Sequence, residues 1–306
     1  MAGEFSAVDL SQLPAPNVVE PLDFETIFEQ RKSALLALFD GEEQAEIEAT
    51  LELESEPMTK LLQENAYQEL VWRQRVNEAA RGVMLAYAKD DDLDQIGANY
   101  NVFRQVIDQG DPEAVPPVPP TYESDTDFRR RIQLSPEGYT TAGSRGSYVF
   151  HALSADANVK DAQAVSPSPG QVTVYVLSRE GNGTASSELQ TAVDSAVNAD
   201  DIRPMTDQVN VQSVAVTEYS VVAELTVFSG PDAEVVRQSA EDAITDYVAN
   251  QHRIGYDITL SGLYAALHQA GVQNVTLTSP AATIVIGDGE AAYCTGVTVT
   301  VGGTDV

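Results

Sequence analysis

The spacing of apolar residues changes along this chain, and that change limits the fold more than any other feature. From Asp23 to about Tyr87 apolar side chains recur every third or fourth position, whereas from Val172 onward they alternate. The first spacing matches the turn of an amphipathic helix and the second the two-residue repeat of a half-buried strand. Helices confined to the first part, with strands and helices mixed in the second, predict an α+β fold. The expected architecture is an N-terminal helical region followed by two repeated small α+β units.

Pro14, Pro16 and Pro21 cannot sit inside a helix, so residues 1–22 are expected to form an extended arm. The helical region is expected over 23–107. Phe24, Ile27, Phe28, Leu35, Leu36, Leu38 and Phe39 share one stripe, which Gly41 would end. A second helix is expected over about Glu43–Leu53. The third is the strongest of the set. Pro57 suits a first helical position, and Met58, Leu61, Leu62, Ala66, Leu70, Val76, Ala80, Val83, Met84 and Tyr87 follow at helical spacing. They predict a helix of about eight turns. Val71, Trp72 and Ala79 lie off that stripe and give the helix a second apolar face. Such a rod either spans a large core or packs against helices of other chains. Its candidate inter-subunit contacts are Leu61, Leu62, Tyr67, Leu70, Val71, Arg73, Arg75, Ala80, Val83, Met84 and Tyr87.

Residues 108–121 read as a proline-rich linker. Beyond it, Ser124 to Asp127 resembles a capping box opening a helix through Ile132, in which Arg129, Arg130 and Arg131 form a weak basic patch. Ser144 to Ala155 reads as another short helix. The first α+β unit is expected over 122–217 and the second over 218–306. Strand 171–177, helix 186–198, Arg203, Asp207 and a strand parallel strand 221–228, helix 232–249, Arg253, Asp257 and a strand. A helix leading to a strand also recurs, from Ser147-Tyr148 to Val159 and from Gly262-Leu263-Tyr264 to Val272. Thr283 to Ile286, the turn Gly287-Asp288-Gly289 and Val297 to Val301 predict a closing hairpin or edge pair.

Charge narrows the functions open to the chain. Its 47 acidic and 17 basic residues leave a formal net charge of −30, a field that repels phosphate backbones and anionic membranes. Direct nucleic-acid binding and membrane insertion are therefore not expected, and no run of about 20 apolar residues spans a bilayer. Within the first half the signs are segregated. Asp40 to Glu56 holds eight acids and no base, while Arg73, Arg75, Arg81 and Lys89 follow with Glu78 the only acid among them. These stretches are solvated helix faces, or they pair within the chain or between copies.

Chemistry-bearing constellations are sparse. Asp90, Asp92 and Asp94 imitate the start of an EF-hand loop, but Gln95 and Asn101 stand where glycine and glutamate are needed. The acids suit the first turn of a helix through Ala98 instead. His151, His252 and His268 have no metal-type spacing, and Cys294 is the one cysteine. No Walker A loop, G-x-G-x-x-G or nucleophile elbow occurs. No cofactor, metal or catalytic residue is expected. A structural subunit, a surface or carbohydrate-binding module of repeated α+β units, and a hydrolase using a carboxylate pair remain as reading, alternative and outlier.

Several segments, in order, resemble a known family. They are Leu10–Pro16, Leu51–Leu62, Glu64–Leu70 continuing through Arg75–Arg81, Asp92–Val102, Asp127–Ile132 and Thr141–Ser144. Together they are similar to baseplate assembly protein J of contractile-tailed bacteriophages. That resemblance implies a non-enzymatic wedge subunit that surrounds a central hub. It implies assembly with other copies of the chain and with a tail protein I-like partner through a shared helical bundle. Contacts with a sheath-initiating lysozyme-like baseplate protein, and with hub or tail-fibre proteins, follow from the same resemblance. So does a place in the virion tail baseplate, assembled in the host cytoplasm, where a ring of such units controls sheath contraction. Related rings serve contractile bacteriocins and secretion machines.

Overall fold

The computed structural model describes Leu10, Leu13, Pro14, residues 16–230 and residues 232–305. The expected arm over 1–22 falls largely outside the described residues. The fold is α+β and divides into two compact units, one ending at Phe103 and the other beginning at Arg104.

The first unit is helical. α1 (Phe24–Leu36) starts where the Asp23 carboxylate accepts from the Thr26 backbone N–H at 2.8 Å, an N-cap that satisfies an orphan donor. Gly41, with φ of +60°, is the first residue of α2 (Gly41–Leu51) and not the end of α1. α3 spans Pro57–Gly82, 26 residues, so it stops about a turn and a half short of the expected Tyr87. The chain leaves α3 through turns at 83–87 and enters α4 (Asp90–Asn99), whose first turn carries Asp90, Asp91 and Asp92; the Asp92 carboxylate packs so close to Gly82 that a Cβ there would meet it at 2.6 Å. Ile27, Leu51, Ala66, Ala88, Leu93 and Val102 are the buried apolar residues of this unit.

The second unit opens with β1 (Val106–Asp108) and β2 (Thr121–Tyr122), which pair antiparallel. The intervening prolines therefore lie on a closed hairpin loop, and the segment expected to span two parts of the chain turns back on itself instead. α5 (Asp125–Leu134) is capped by the Ser124 hydroxyl, which accepts from the Asp127 N–H at 3.2 Å.

Two three-stranded sheets follow. α6 (Arg145–Ala155), β3 (Val159–Ser168), β4 (Gln171–Ser178), α7 (Ser187–Val197) and β5 (Gln208–Ser213) make the first, with β4 central, antiparallel to β3 and parallel to β5. β6 (Ala215–Phe228), α8 (Ala233–Gln251), α9 (Leu260–Leu267), β7 (Val272–Ser279) and β8 (Glu290–Asp305) make the second. There β6 is central, antiparallel to β7 and parallel to β8. Each sheet buries one face under two helices: Val174, Val176, Val193, Val197 and Ala152 in the first, Leu225, Val227, Ala240, Ile244 and Leu263 in the second.

The two layers contain the same parts in a different chain order. β4–α7 corresponds to β6–α8, β5 to β8, and the helix–strand pair α6–β3 to α9–β7. That pair precedes the central strand in the first layer but is inserted before the parallel edge strand in the second. Consequently Asp257 is followed by α9 and not by a strand. β8 runs parallel to β6 from Glu290 to Asp305, so of the expected hairpin or edge pair the structure shows the edge strand.

Candidate interaction surfaces

α3 has an inner and an outer side. Thr59, Ala66 and Asn77 are buried, with Leu62, Leu70, Arg73 and Ala80 half-buried beside them. Asn77 and Glu69 anchor this inner side, and Tyr87, beyond the end of the helix, adds a third polar contact. The Asn77 amide donates to the Glu20 carbonyl at 2.8 Å and accepts from its N–H at 3.0 Å, as a neighbouring strand would. The Tyr87 hydroxyl donates to the Leu13 carbonyl at 2.8 Å. Glu69 accepts from Arg31 at 2.7 Å and from Arg73 at 2.9 Å, and these two guanidinium hydrogen bonds hold its carboxyl below the usual range.

The outer side carries apolar residues that none of the described residues covers. At about 100° per residue, Met58, Leu61, Trp72, Val76 and Ala79 fall within an arc of roughly 60°. Leu61 is 61% exposed, Trp72 69% and Val76 60%. Asn65 and Gln68 interrupt the arc, leaving one patch near each end of the helix. Tyr67 and Val71, one turn apart and exposed, form a flank beside it. Isolated exposed apolar residues are ordinary, but a row along one helix is the signature of an unfilled interface. Of the eleven candidates from the sequence, Leu61, Tyr67, Val71, Arg75 and Val83 lie exposed. Leu62, Leu70, Arg73, Ala80, Met84 and Tyr87 are half-buried inside their own unit.

Arg129, Arg130 and Arg131 do not form a basic patch. Arg131 is buried and donates to both carboxylate oxygens of Glu123, at 2.8 and 2.7 Å. Arg130 donates to Asp161 at 2.7 Å. Next to them Asp127 accepts from Arg179 at 2.7 Å and from Arg253 at 3.3 Å. Burial opposes ionisation of Asp127, but the two guanidinium groups outweigh it and hold the carboxyl below its ordinary value. Asp161 also accepts from the Ile254 N–H at 3.1 Å. This ionic cluster ties α5 and both sheet layers together. Beside it, His252 is buried and bonded through Nδ1 to the Ala292 carbonyl at 2.7 Å; burial pushes its pKa down. Sequence reading missed the cluster because its bonded partners lie up to 126 residues apart.

The Arg203–Asp207 and Arg253–Asp257 pairs both follow the crossover helix of their layer, yet their contacts differ. Arg203 donates to the Asp207 carbonyl at 2.9 Å, and Asp207 accepts from the Tyr148 hydroxyl at 2.8 Å. Arg253 turns to Asp127, and Asp257 accepts from the Ile286 N–H at 2.7 Å. Among the described residues, no group of three His, Cys, Asp or Glu side chains is placed to hold a metal ion, and no helix is long and apolar enough to cross a membrane.

Comparison with known proteins gives a consistent result along the chain. The Baseplate J-like N-terminal domain matches residues 54–111, the Baseplate J-like central domain residues 140–213, and the Baseplate J-like protein C-terminal domain residues 219–300. The chain is similar to Baseplate protein J of Escherichia phage P2, with 52% identity over 298 residues, 97% of this chain and 99% of that protein. It is also similar to a chain in the cryo-EM structure of the anti-feeding prophage (AFP) baseplate, 6-fold symmetrised. That likeness has 12% identity and a TM-score of 0.40 and covers 58% of this chain and 44% of that one.

Proposed function

This chain belongs to the baseplate J-like family, and from that premise we propose that it is a structural, non-catalytic wedge subunit of a contractile-tail baseplate. It assembles with other copies of itself and with a tail protein I-like partner into a ring around the hub, and that ring controls sheath contraction. The observation that carries the reading is the near-full-length kinship with a phage baseplate protein. The outer side of α3 supports it physically. Met58, Leu61, Tyr67 and Val71 are exposed on one rod, and burying such a row against partner helices removes apolar area worth about 25 cal/mol per Å². The expected extended arm, the helical region and the two α+β units are parts of that subunit, with the helices facing the partner. Contacts with a sheath-initiating lysozyme-like protein, the hub or tail fibres belong to the assembled tail.

Co-expression with the tail protein I-like subunit of the same particle tests the reading. A stable complex is expected by size-exclusion chromatography with light scattering. Leu61→Asp with Val71→Asp should abolish it at unchanged helix content by circular dichroism. If the double variant forms the complex as the parent does, α3 is not the contact surface. If the parent forms none, the wedge assignment fails.

A further inference from the structure

The ionic cluster under α5 holds more positive charge than its carboxylates answer. Arg130, Arg131, Lys160, Arg179 and Arg253 meet Glu123, Asp127 and Asp161 there. On a chain of net charge −30, this site runs against the balance of the whole molecule.

The carboxylates are spent. Glu123 accepts from Arg131 through both oxygens. Asp127 accepts from Arg179 through Oδ2 and from Arg253 through Oδ1. Asp161 accepts from Arg130 and the Ala162 N–H through Oδ1, and from the Ile254 N–H through Oδ2. The cations are not spent. Among the described residues, the Arg130 guanidinium bonds only through Nη1, which leaves further N–H donors of its fork. The Lys160 ammonium makes no hydrogen bond or ion pair with a described residue. Lys160 is half-buried on β3, and burial together with the nearby Arg253 and Arg179 pushes its pKa down.

A cavity of about 10 Å³ lies against Lys160, Arg130 and Arg179, with Asp127, Leu153 and Val159 also on its wall. The closed Glu123–Arg131 pair completes the lining. The space suits one water-sized occupant and is too small for phosphate, sulfate or an organic acid. Water would fill it without supplying charge, and cations buried beyond their counter-ions are costly. A monatomic anion supplies the missing charge and accepts from the unspent donors.

We infer that this cavity binds a chloride-sized anion between Lys160, Arg130 and Arg179. The anion joins α5 to the first sheet layer, and through Asp127 and Arg253 the second layer shares the joint. A single copy of the chain suffices, so the inference stands apart from the wedge reading.

Thermal melts of the full chain in sodium gluconate, with chloride substituted stepwise at constant ionic strength, keep screening fixed, and gluconate is too large for the cavity. A saturable rise in melting temperature of about 2–4 °C is expected, and Lys160→Met should remove it. No rise, a rise that never saturates, or one that persists in Lys160→Met overturns the proposal. A second measurement does not depend on the variant folding. Crystals of the full chain grown in sodium bromide should show an anomalous peak in contact with Lys160 Nζ. Density there without anomalous signal is water beside a neutral lysine amine, and it overturns the proposal. A bromide peak without the saturable rise marks binding at crystal concentration only and overturns it as well.

Discussion

Two buried groups show how single residues set the stability of the second unit. Glu123 and Arg131 form a bidentate pair with side chains 2% and 5% exposed, and Arg131 also stacks near the Phe128 ring, 5.7 Å from its centroid. Removing one partner strands a charge out of water. Arg131→Met should therefore cost about 3–5 kcal/mol, measured by urea unfolding. Replacing both, Glu123→Leu with Arg131→Met, should recover most of that loss, since the desolvation of both charges disappears together. His252 makes a pH prediction. Its folded pKa lies below the ordinary 6.5 because burial disfavours the imidazolium. Between the two values the unfolded chain binds more protons, so stability is full above about 6.5 and falls as the pH drops below it. Asp127 acts in a lower window. Its depressed carboxyl stabilises the fold above the ordinary carboxylate value and loses that contribution as pH falls through the folded pKa. Burial lowers the pKa of the His151 imidazole too, so His252→Gln should reduce the upper slope, His252→Gln with His151→Gln should remove it, and both should leave the acid-side slope, read from thermal melts across pH.

At the scale of elements, the permuted order of the second layer is the central finding. α8 must cross to a parallel position at β8, and α9–β7 is threaded in between. Gly183 shows what holds the layers in register. It has φ of +99°, and a Cβ there would press on Leu177 at 2.5 Å and on His252 at 2.9 Å. Gly183→Ala combines a disfavoured backbone with a clash. It should cost at least about 1–3 kcal/mol, visible as earlier unfolding of both layers together. The helices and strands of the second half were legible in the sequence because α7, α8, β4 and β6 carry clean 3.6- and 2-residue patterns over long stretches. The connectivity was not, because alternation reveals a strand without its neighbours; β8 reads the same as a hairpin arm or as a parallel edge. Arg129 to Arg131 read as surface charge because their partners Glu123 and Asp161 are recognised only once the chain is folded. The apolar stripe continues past Gly82 through Val83, Met84 and Tyr87, so its spacing alone overestimated the length of α3. Of the outer row of α3, Trp72 and Ala79 were visible as an off-stripe excess, whereas Met58, Leu61 and Val76 read as part of the main stripe, because which residues face solvent depended on where α1 packs.

For the whole molecule, the charge of −30 sets a cost that every folded arrangement carries. Compacting a chain with 47 acids and 17 bases brings like charges within a Debye length of about 10 Å at 0.1 M salt, and self-repulsion destabilises the compact state. The cations are largely committed locally, as in Arg31 and Arg73 with Glu69, Arg179 and Arg253 with Asp127, and Arg237 with Glu234 and Glu241. The acids of α2, Glu42, Glu43, Glu46 and Glu48, are exposed to water. Two opposing salt effects follow. Screening relieves net repulsion and should raise the melting temperature as NaCl increases from about 10 mM to about 0.5 M; it weakens exposed pairs such as Arg75–Glu78, 3.9 Å apart, which are worth little to begin with. The first effect acts on 30 excess charges and the second on a handful of solvated pairs, so the first wins. Thermal melts against NaCl should therefore rise. A melting temperature that falls with salt would mean that paired charges, and not net charge, govern the stability of this chain.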